Sequence, residues 1–83
     1  SDQLELRIAC IEALQLPAPP SAVPMLLVAL DDDADRIRHA AAATAGFLGT
    51  RAEPAAESLG AMVVFDDVPV VRETAARSLA RMG

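Results

Sequence analysis

The chain has 83 residues, of which 53% are hydrophobic and 2% aromatic, and its net charge is −5. This length holds one small domain, and the hydrophobic content excludes intrinsic disorder. Eighteen of the apolar residues are alanine, which favours closely packed helices over an aromatic-rich β-sandwich. The negative charge opposes binding to a phosphate backbone as the main activity.

The first helix is predicted over about residues 2–15, where apolar residues recur at helical spacing, and the prolines at 17, 19 and 20 are expected to end it. The second, over about 22–30, is almost wholly apolar and should be covered on several sides. Ser21 is expected to cap it, because a serine hydroxyl can accept a hydrogen bond from a free backbone amide of the first turn.

The third helix is predicted over about 35–48, with Asp33 or Asp35 as its cap, and it ends at Gly49, a residue that favours a positive φ. The fourth covers about 54–65, with a proline in its first turn. Asp67 and Pro69 open the fifth, over about 69–82. The sequence therefore predicts five helices and no strand.

Two segments, 27–49 and 62–83, repeat one pattern: an apolar run, a pair of aspartates, a hydrophobic residue followed by arginine, an alanine-rich helix and a final glycine. Arg38 and Arg72 lie 34 residues apart, whereas the pairs Asp31-Asp32 and Asp66-Asp67 lie 35 apart, which predicts one inserted residue in the first acidic loop. A partial third copy begins the chain, with Arg7 at the shared arginine position.

Periods in the low thirties made of two helices are typical of α-solenoids. We therefore predict an all-α solenoid of antiparallel helix pairs, about five helices in two and a half repeats. Residues 1–83 would form one domain, divided into a half repeat over 1–16 and complete repeats over 21–49 and 53–83. The chain does not begin with Met, and a half repeat has one uncovered helix, so a fragment of a longer solenoid is one interpretation.

The stretches VPMLLVALDDDADRIRHAAAATAGFLG and VVFDDVPVVRETAARSLARMG resemble the HEAT-like repeats of the phycobilisome-lyase type. The resemblance implies a HEAT-like fold across nearly the whole chain. It leaves function open, because this family includes bilin lyase subunits, modules appended to enzymes and binding scaffolds. The leading interpretation is a scaffold for protein–protein interaction without catalysis of its own. A subunit or appended module of an enzyme, similar to a bilin lyase, is the alternative.

The resemblance also implies a ladder of ion pairs that fixes the register between repeats, which we place on Asp32, Arg38, Asp67 and Arg72. We expect Arg72→Ala to lower thermal stability and to spare partner binding. The spacing Asp31-x-Asp33-x-Asp35 has the first three ligand positions of an EF-hand loop, but the glycine and glutamate required further on are missing. We therefore predict helix caps here, with no metal and no cofactor.

No catalytic residue is predicted. Cys10 is the single cysteine, which excludes an intrachain disulfide and, without a cluster of further ligands, a zinc site. Its alignment with Ala41 and Ala75 predicts a buried position. His39 is expected to point away from the core, without a nucleophile or carboxylate aimed at it.

Solenoids usually bind partners along the second helices of their repeats. The predicted partner-binding face consists of Glu12, His39, Ala43, Phe47, Glu73, Arg77 and Arg81. Ala42 and Gly46 are also expected to point outward. Because Val71, Ala75, Leu79 and Met82 share one face of the last helix, self-association through exposed solenoid ends is expected as an alternative. Nucleic-acid binding through Arg72, Arg77 and Arg81 is a third, weaker interpretation.

No apolar run approaches the length of a membrane span, and the N-terminal residues lack the features of a signal peptide. We therefore expect no membrane partner, with the cytoplasm as the default location. The absence of lysine beside abundant alanine, arginine and proline favours a bacterial origin.

Overall fold

A computed structural model describes residues 2–15 and 21–83, and these residues form helices and turns without a strand. The elements are α1 (Asp2–Glu12), α2 (Ala22–Leu30), α3 (Asp35–Leu48), a 3₁₀ helix (Gly49–Ala55), α4 (Ala56–Phe65) and α5 (Pro69–Met82). The prediction of an all-α fold is confirmed. None of these helices is long and apolar enough to cross a membrane.

The bounds of α2, α3 and α5 agree with the sequence-based prediction. Helix α1 ends at Glu12, earlier than predicted, and continues as a turn in which the Gln15 amide donates to the Glu12 carbonyl. The proline-rich segment 16–20, predicted to stop the first helix, lies outside the described residues.

Helix α4 begins at Ala56, and the predicted start at Pro54 falls inside the preceding 3₁₀ helix. This segment begins at Gly49, whose φ of 61° ends α3, and it contains a kink at Ala52. Ala52 and Ala55 are both fully buried, so the 3₁₀ turns place two methyl groups in the core before the α-helix starts. Burial of these alanines accounts for the later start of α4.

The helices alternate between two roles, which we call leading helices (α2 and α4) and trailing helices (α1, α3 and α5). Each complete pair is an antiparallel hairpin, α2 with α3 and α4 with α5, and α3 also packs against both neighbouring trailing helices. Helix α3 consequently has eight buried residues, whereas α1 has one, Ile11. The core therefore lies around α3.

Helices α3 and α5 approach closely because the residues between them are small. A Cβ atom on Gly46 would lie 2.5 Å from the Oγ of Ser78, and that hydroxyl donates to the Ala42 carbonyl at 2.6 Å. Both Ala42 and Gly46 are buried, so the prediction that they point outward is wrong. The reason is that α5 crosses α3 on this side.

The exposed apolar surface near the C-terminus also differs from expectation. Val71 and Ala75 are fully buried, and Leu79 and Met82 are partly buried against the core, so the predicted open face of α5 is wrong. Helix α4 packs against α5 and covers this face. The exposed apolar side chains near this end are instead Val64 and Phe65, in the last turn of α4, and Val70 at the start of α5.

Candidate functional site

The most connected charged group in the described residues is the guanidinium of Arg38, on the first turns of α3. Its Nε and Nη2 atoms donate to the two carboxylate oxygens of Asp66, at 2.9 and 3.2 Å, and Nη2 also donates to Asp67 at 3.2 Å. Its Nη1 atom donates to the carbonyls of Asp32 and Asp33, each at 3.0 Å. Arg38 therefore joins the turn of its own repeat to the turn of the next.

Asp66 and Asp32 hold the two turns in the same way. A carboxylate oxygen of Asp66 accepts the Val68 amide at 2.9 Å, and one of Asp32 accepts the Ala34 amide at 2.8 Å. Ala34 and Val68 are the residues that precede α3 and α5. These two carboxylates stabilise the turns that enter both trailing helices.

The residues at the cap positions of these helices differ from the predicted ones. Ala34 and Val68 occupy the cap positions of α3 and α5, where Asp33 or Asp35 and Asp67 were predicted. At α2, Ser21 makes no capping hydrogen bond, and its hydroxyl instead lies 3.7 Å from the sulfur of Met25. The aspartate at the start of each turn, two residues before the cap, supplies the hydrogen bond.

The other arginines at the shared position make part of the same pattern. Arg7 forms an ion pair with Asp32, and Arg72 donates to the Asp66 carbonyl at 2.6 Å. Sequence reasoning chose Asp67, an exposed residue, and missed Asp66, whose side chain is 5% exposed. The missed signal is that Asp32 and Asp66 each precede the shared arginine by six residues.

This equivalence corrects the predicted insertion. Asp32 and Asp66 are 34 residues apart, as are the arginines, so the two acidic turns have equal lengths. The buried residues Leu26 and Ala29 of α2 correspond by burial to Leu59 and Met62 of α4, 33 residues later. The additional residue therefore lies at the end of α4, in the second complete repeat.

The ionised side chains of Asp32, Arg38 and Asp66 stabilise one another's charged forms or are stabilised by neighbouring hydrogen bonds. Burial raises the pKa of Asp66, but hydrogen bonds from Arg38 and the Val68 amide outweigh it and leave that pKa below its ordinary value. The hydrogen bond from the Ala34 amide lowers the pKa of Asp32, and Arg7 adds to the effect. The hydrogen bond to Asp66 raises the pKa of Arg38. All three groups are charged at neutral pH.

The predicted partner-binding face is distributed over the trailing helices, and the structure brings three of its seven residues together. Glu12, His39 and Ala43 line one groove of about 310 Å³. Glu73 and Arg77 form an ion pair with each other on α5. Phe47 and Arg81 are exposed and line no part of this groove.

His39 is half-buried and lines the groove of about 310 Å³ together with the carboxylates of Glu12 and Asp35. Cys10 is exposed, and the prediction that it is buried is wrong, because α1 has no leading helix over it in the described residues. Within residues 2–15 and 21–83, no three His, Cys, Asp or Glu side chains are grouped so that they could hold a metal ion. The charged groups that do converge are the aspartates and arginines of the turns.

Comparison with known proteins gives one match. No curated protein and no solved structure matched the chain. A family model described as HEAT repeats matches residues 1–80, which is nearly the whole chain, without singling out the phycobilisome-lyase type. Successive helix hairpins and equivalent acidic turns agree with that match, and the chain therefore belongs to the HEAT repeat family.

Proposed function

We propose that the chain is a non-catalytic protein-interaction module that binds a partner protein through its trailing helices. HEAT repeats generally act as scaffolds for protein–protein interaction. The domain would comprise the half repeat 1–16 and the repeats 21–49 and 53–83. In this division the ion-pair ladder holds the repeats in register, through Asp32, Arg38, Asp67 and Arg72 together with Asp66. The binding surface lies on the other residues of the trailing helices.

The observation that carries this proposal is the groove of about 310 Å³ to which α1, α3 and α5 all contribute. Its lining is half apolar and half ionisable: Ile8, Ala40, Ala43 and Val70, with Glu12, Asp35, Arg36 and His39. Apolar surface contributes binding free energy, and ionisable groups around it select the partner. Of the predicted face, Glu12, His39 and Ala43 take part directly.

A selection experiment tests this surface. A library of displayed helical peptides is selected on the immobilised chain, and the selected peptides are then measured against Ala43→Glu and Ala61→Glu. Both alanines are exposed, but Ala61 lies on α4, away from the groove. We expect Ala43→Glu to lower the affinity of the peptides that bind this groove by about tenfold or more, since it introduces a charge into the contact. A selection in which no peptide loses affinity for Ala43→Glu would contradict the proposal.

The contacts of the arginines weigh against nucleic-acid binding. Arg77 is paired with Glu73, and Arg72 donates to the Asp66 carbonyl, so these two do not form a free basic strip with Arg81. A role similar to a bilin lyase stays a prediction of the resemblance. Addition of bilin pigment to the purified chain, followed by visible absorption, tests that prediction, and an unchanged pigment spectrum would exclude it.

A further inference from the structure

An apolar groove lies between α1 and α2, away from the proposed binding face. This N-terminal groove has a volume of about 610 Å³ and is lined mainly by Leu6, Cys10, Met25 and Val28, with Arg7 and Asp32 at the same site. Leu6 is 64% exposed and Val28 is 76% exposed. Two large aliphatic side chains therefore face solvent beside each other.

On the α1 side, the repeat shows what covers this kind of surface. Leu6 and Cys10 stand at the positions of Ile37 and Ala41 in α3, counted from the shared arginine. Ile37 and Ala41 are buried, and α3 packs against its leading helix α2. Leu6 and Cys10 thus belong to the face of a trailing helix that a leading helix covers in a complete pair.

The α2 side leads to the same conclusion. Met25 and Val28 correspond by burial register to Ser58 and Ala61 of α4. Ser58 and Ala61 line the hollow that α4 shares with Leu30 at the end of α2. The N-terminal groove is therefore bounded on the α1 side by a face that a leading helix covers in a complete pair, and on the α2 side by a face whose equivalent on α4 lies next to a leading helix. The two leading helices present have nine and ten residues, and a helix of this length spans about 15 Å.

The negative charge at one end of the groove favours a bound helix with positive charge at its C-terminal end. Helices α2 and α4 end side by side, since Asp31 and Asp33 line the same hollow as Phe65. A helix that enters the N-terminal groove in the same orientation would end beside Asp31 and Asp33, which are exposed, while Arg7 is already paired with Asp32. Lysine or arginine in the last turn of that helix would be stabilised by these carboxylates and by the helix dipole.

We propose that the N-terminal groove binds an amphipathic α-helix of about ten residues from a partner protein, with apolar residues against Leu6, Met25 and Val28 and with basic residues in its last turn. The groove exists without this helix, because Ile11 and Leu14 stay buried and hold α1 on the core. This surface is separate from the face proposed above.

A second copy of the chain fits the groove less well. Each copy carries a net charge of −5, so two copies repel each other. The most exposed aliphatic and aromatic residues outside the groove, Val64 and Phe65, precede Asp66 and Asp67, which would approach the acidic end of the groove. Charge complementarity therefore favours a basic helix from a different protein.

The test uses two stapled, fluorescent peptides, each with the sequence of residues 55–64, most of which form the leading helix α4. One peptide ends in two added arginines, and the other ends in two added glutamates. We expect the arginine peptide to raise its anisotropy on binding the 83-residue chain, and the glutamate peptide to bind about tenfold more weakly. Added salt should reduce this difference. Equal affinity of the two peptides, or no binding of the arginine peptide, would overturn the proposal.

Two matched variants locate the contact. Val28→Asn places an uncharged polar group in the groove, and Val64→Asn makes the same change at a residue of similar exposure, 66%, outside it. Both side chains are largely in solvent, so both variants should fold. We expect Val28→Asn to weaken the binding of the arginine peptide by about tenfold or more and Val64→Asn to leave it unchanged. An unchanged affinity in Val28→Asn would overturn the proposal.

Alkylation of Cys10 reports occupancy of the groove directly, because this single thiol is exposed and lines it. The arginine peptide should slow the reaction in proportion to its binding. Binding without protection of Cys10 would place the peptide elsewhere and overturn this inference, while leaving the proposed function to its own test.

Protection that grows with chain concentration alone would assign the groove to a second copy. Protection in a longer natural form of the polypeptide, without peptide, would assign it to a helix of the same molecule. Both results overturn the proposal.

Discussion

The two junctions between successive trailing helices use the same residue types in different surroundings. Between α3 and α5, Arg38 and Asp66 have side chains that are 14% and 5% exposed. Between α1 and α3, Arg7 and Asp32 form the equivalent pair, with side chains that are 52% and 22% exposed. The same chemistry is therefore present once in a nearly dry environment and once close to water.

Packing differs between the junctions in the same direction. At α3 and α5 a glycine admits a serine to hydrogen-bond distance of the Ala42 carbonyl. At the α1–α3 junction Thr44 stands at the position of Ser78, and its hydroxyl accepts a longer hydrogen bond, at 3.4 Å, from the side chain of Gln15 in the turn after α1. Loss of an exposed ion pair costs about 0–1 kcal/mol, whereas loss of one member of a buried pair costs more because it leaves an uncompensated charge away from water. The comparison therefore predicts that removal of one ladder residue destabilises the α3–α5 junction more than the α1–α3 junction.

The largest expected effect comes from Arg38→Ala. This change leaves the buried Asp66 carboxylate with the Val68 amide as its main partner and removes the hydrogen bonds to the Asp32 and Asp33 carbonyls. We expect the free energy of unfolding to fall by about 3 kcal/mol, as is usual when one member of a buried pair is lost. Urea unfolding followed by circular dichroism measures it. A loss no greater than that of Arg7→Ala would contradict the comparison.

A smaller effect is expected from Gly46→Ala, which tests the close approach itself. The new methyl group would meet Ser78 at less than contact distance, and overpacking of this kind costs about 1–3 kcal/mol. Gly60→Ala is the matched control, because nothing lies within 4 Å of its Cβ position and alanine favours a helix by up to about 1 kcal/mol. We expect opposite shifts in Tm, and equal shifts would show that α3 and α5 can separate freely.

Low pH should destabilise the junction between α3 and α5. The pKa of Asp66 is held below its ordinary value, so its contribution to stability is present above about pH 4 and is lost as the pH falls through its folded pKa. We expect Asp66→Asn to reduce the fall in the free energy of unfolding between about pH 5 and pH 2.5. The remaining dependence should include Asp32, whose pKa is also lowered. Urea midpoints measured across this range give the result, and an unchanged dependence in Asp66→Asn would contradict it.

Local signals in the sequence were sufficient for most of the fold. Alanine content, prolines and the 34-residue period predicted the helix pairs, and the bounds of α2, α3 and α5 were correct. The orientation of Ala42 and Gly46 could not be read in this way. Which side of a small-residue helix meets its neighbour depends on how the two helices cross, and an alanine-rich helix offers small residues on every side.

Residues of the candidate site could be predicted where the same residue type recurs at the same position of each repeat. Arg38 was identified from the repeat, and Asp67 is its exposed partner, but Asp66, its buried partner, was missed. Counting six residues back from each shared arginine would have identified Asp66. Cys10 was misplaced because alignment with Ala41 transferred the burial found in a helix pair to α1, over which the described residues place no leading helix. Burial of this kind depends on a neighbouring helix, which the aligned residues themselves do not specify.

The smallest expected effect, and the sharpest test of the comparison, is Arg7→Ala. Asp32 keeps the Ala34 amide as a partner, and both charged groups can be solvated once the pair is lost. We expect the free energy of unfolding to fall by less than about 1 kcal/mol, and by less still at high salt. Arg36→Ala, which removes the exposed pair with Glu5 at the same junction, is the control and should behave alike. A loss in Arg7→Ala near that of Arg38→Ala would mean that the ladder, more than the packing of Ile11 and Leu14, holds α1 on the core.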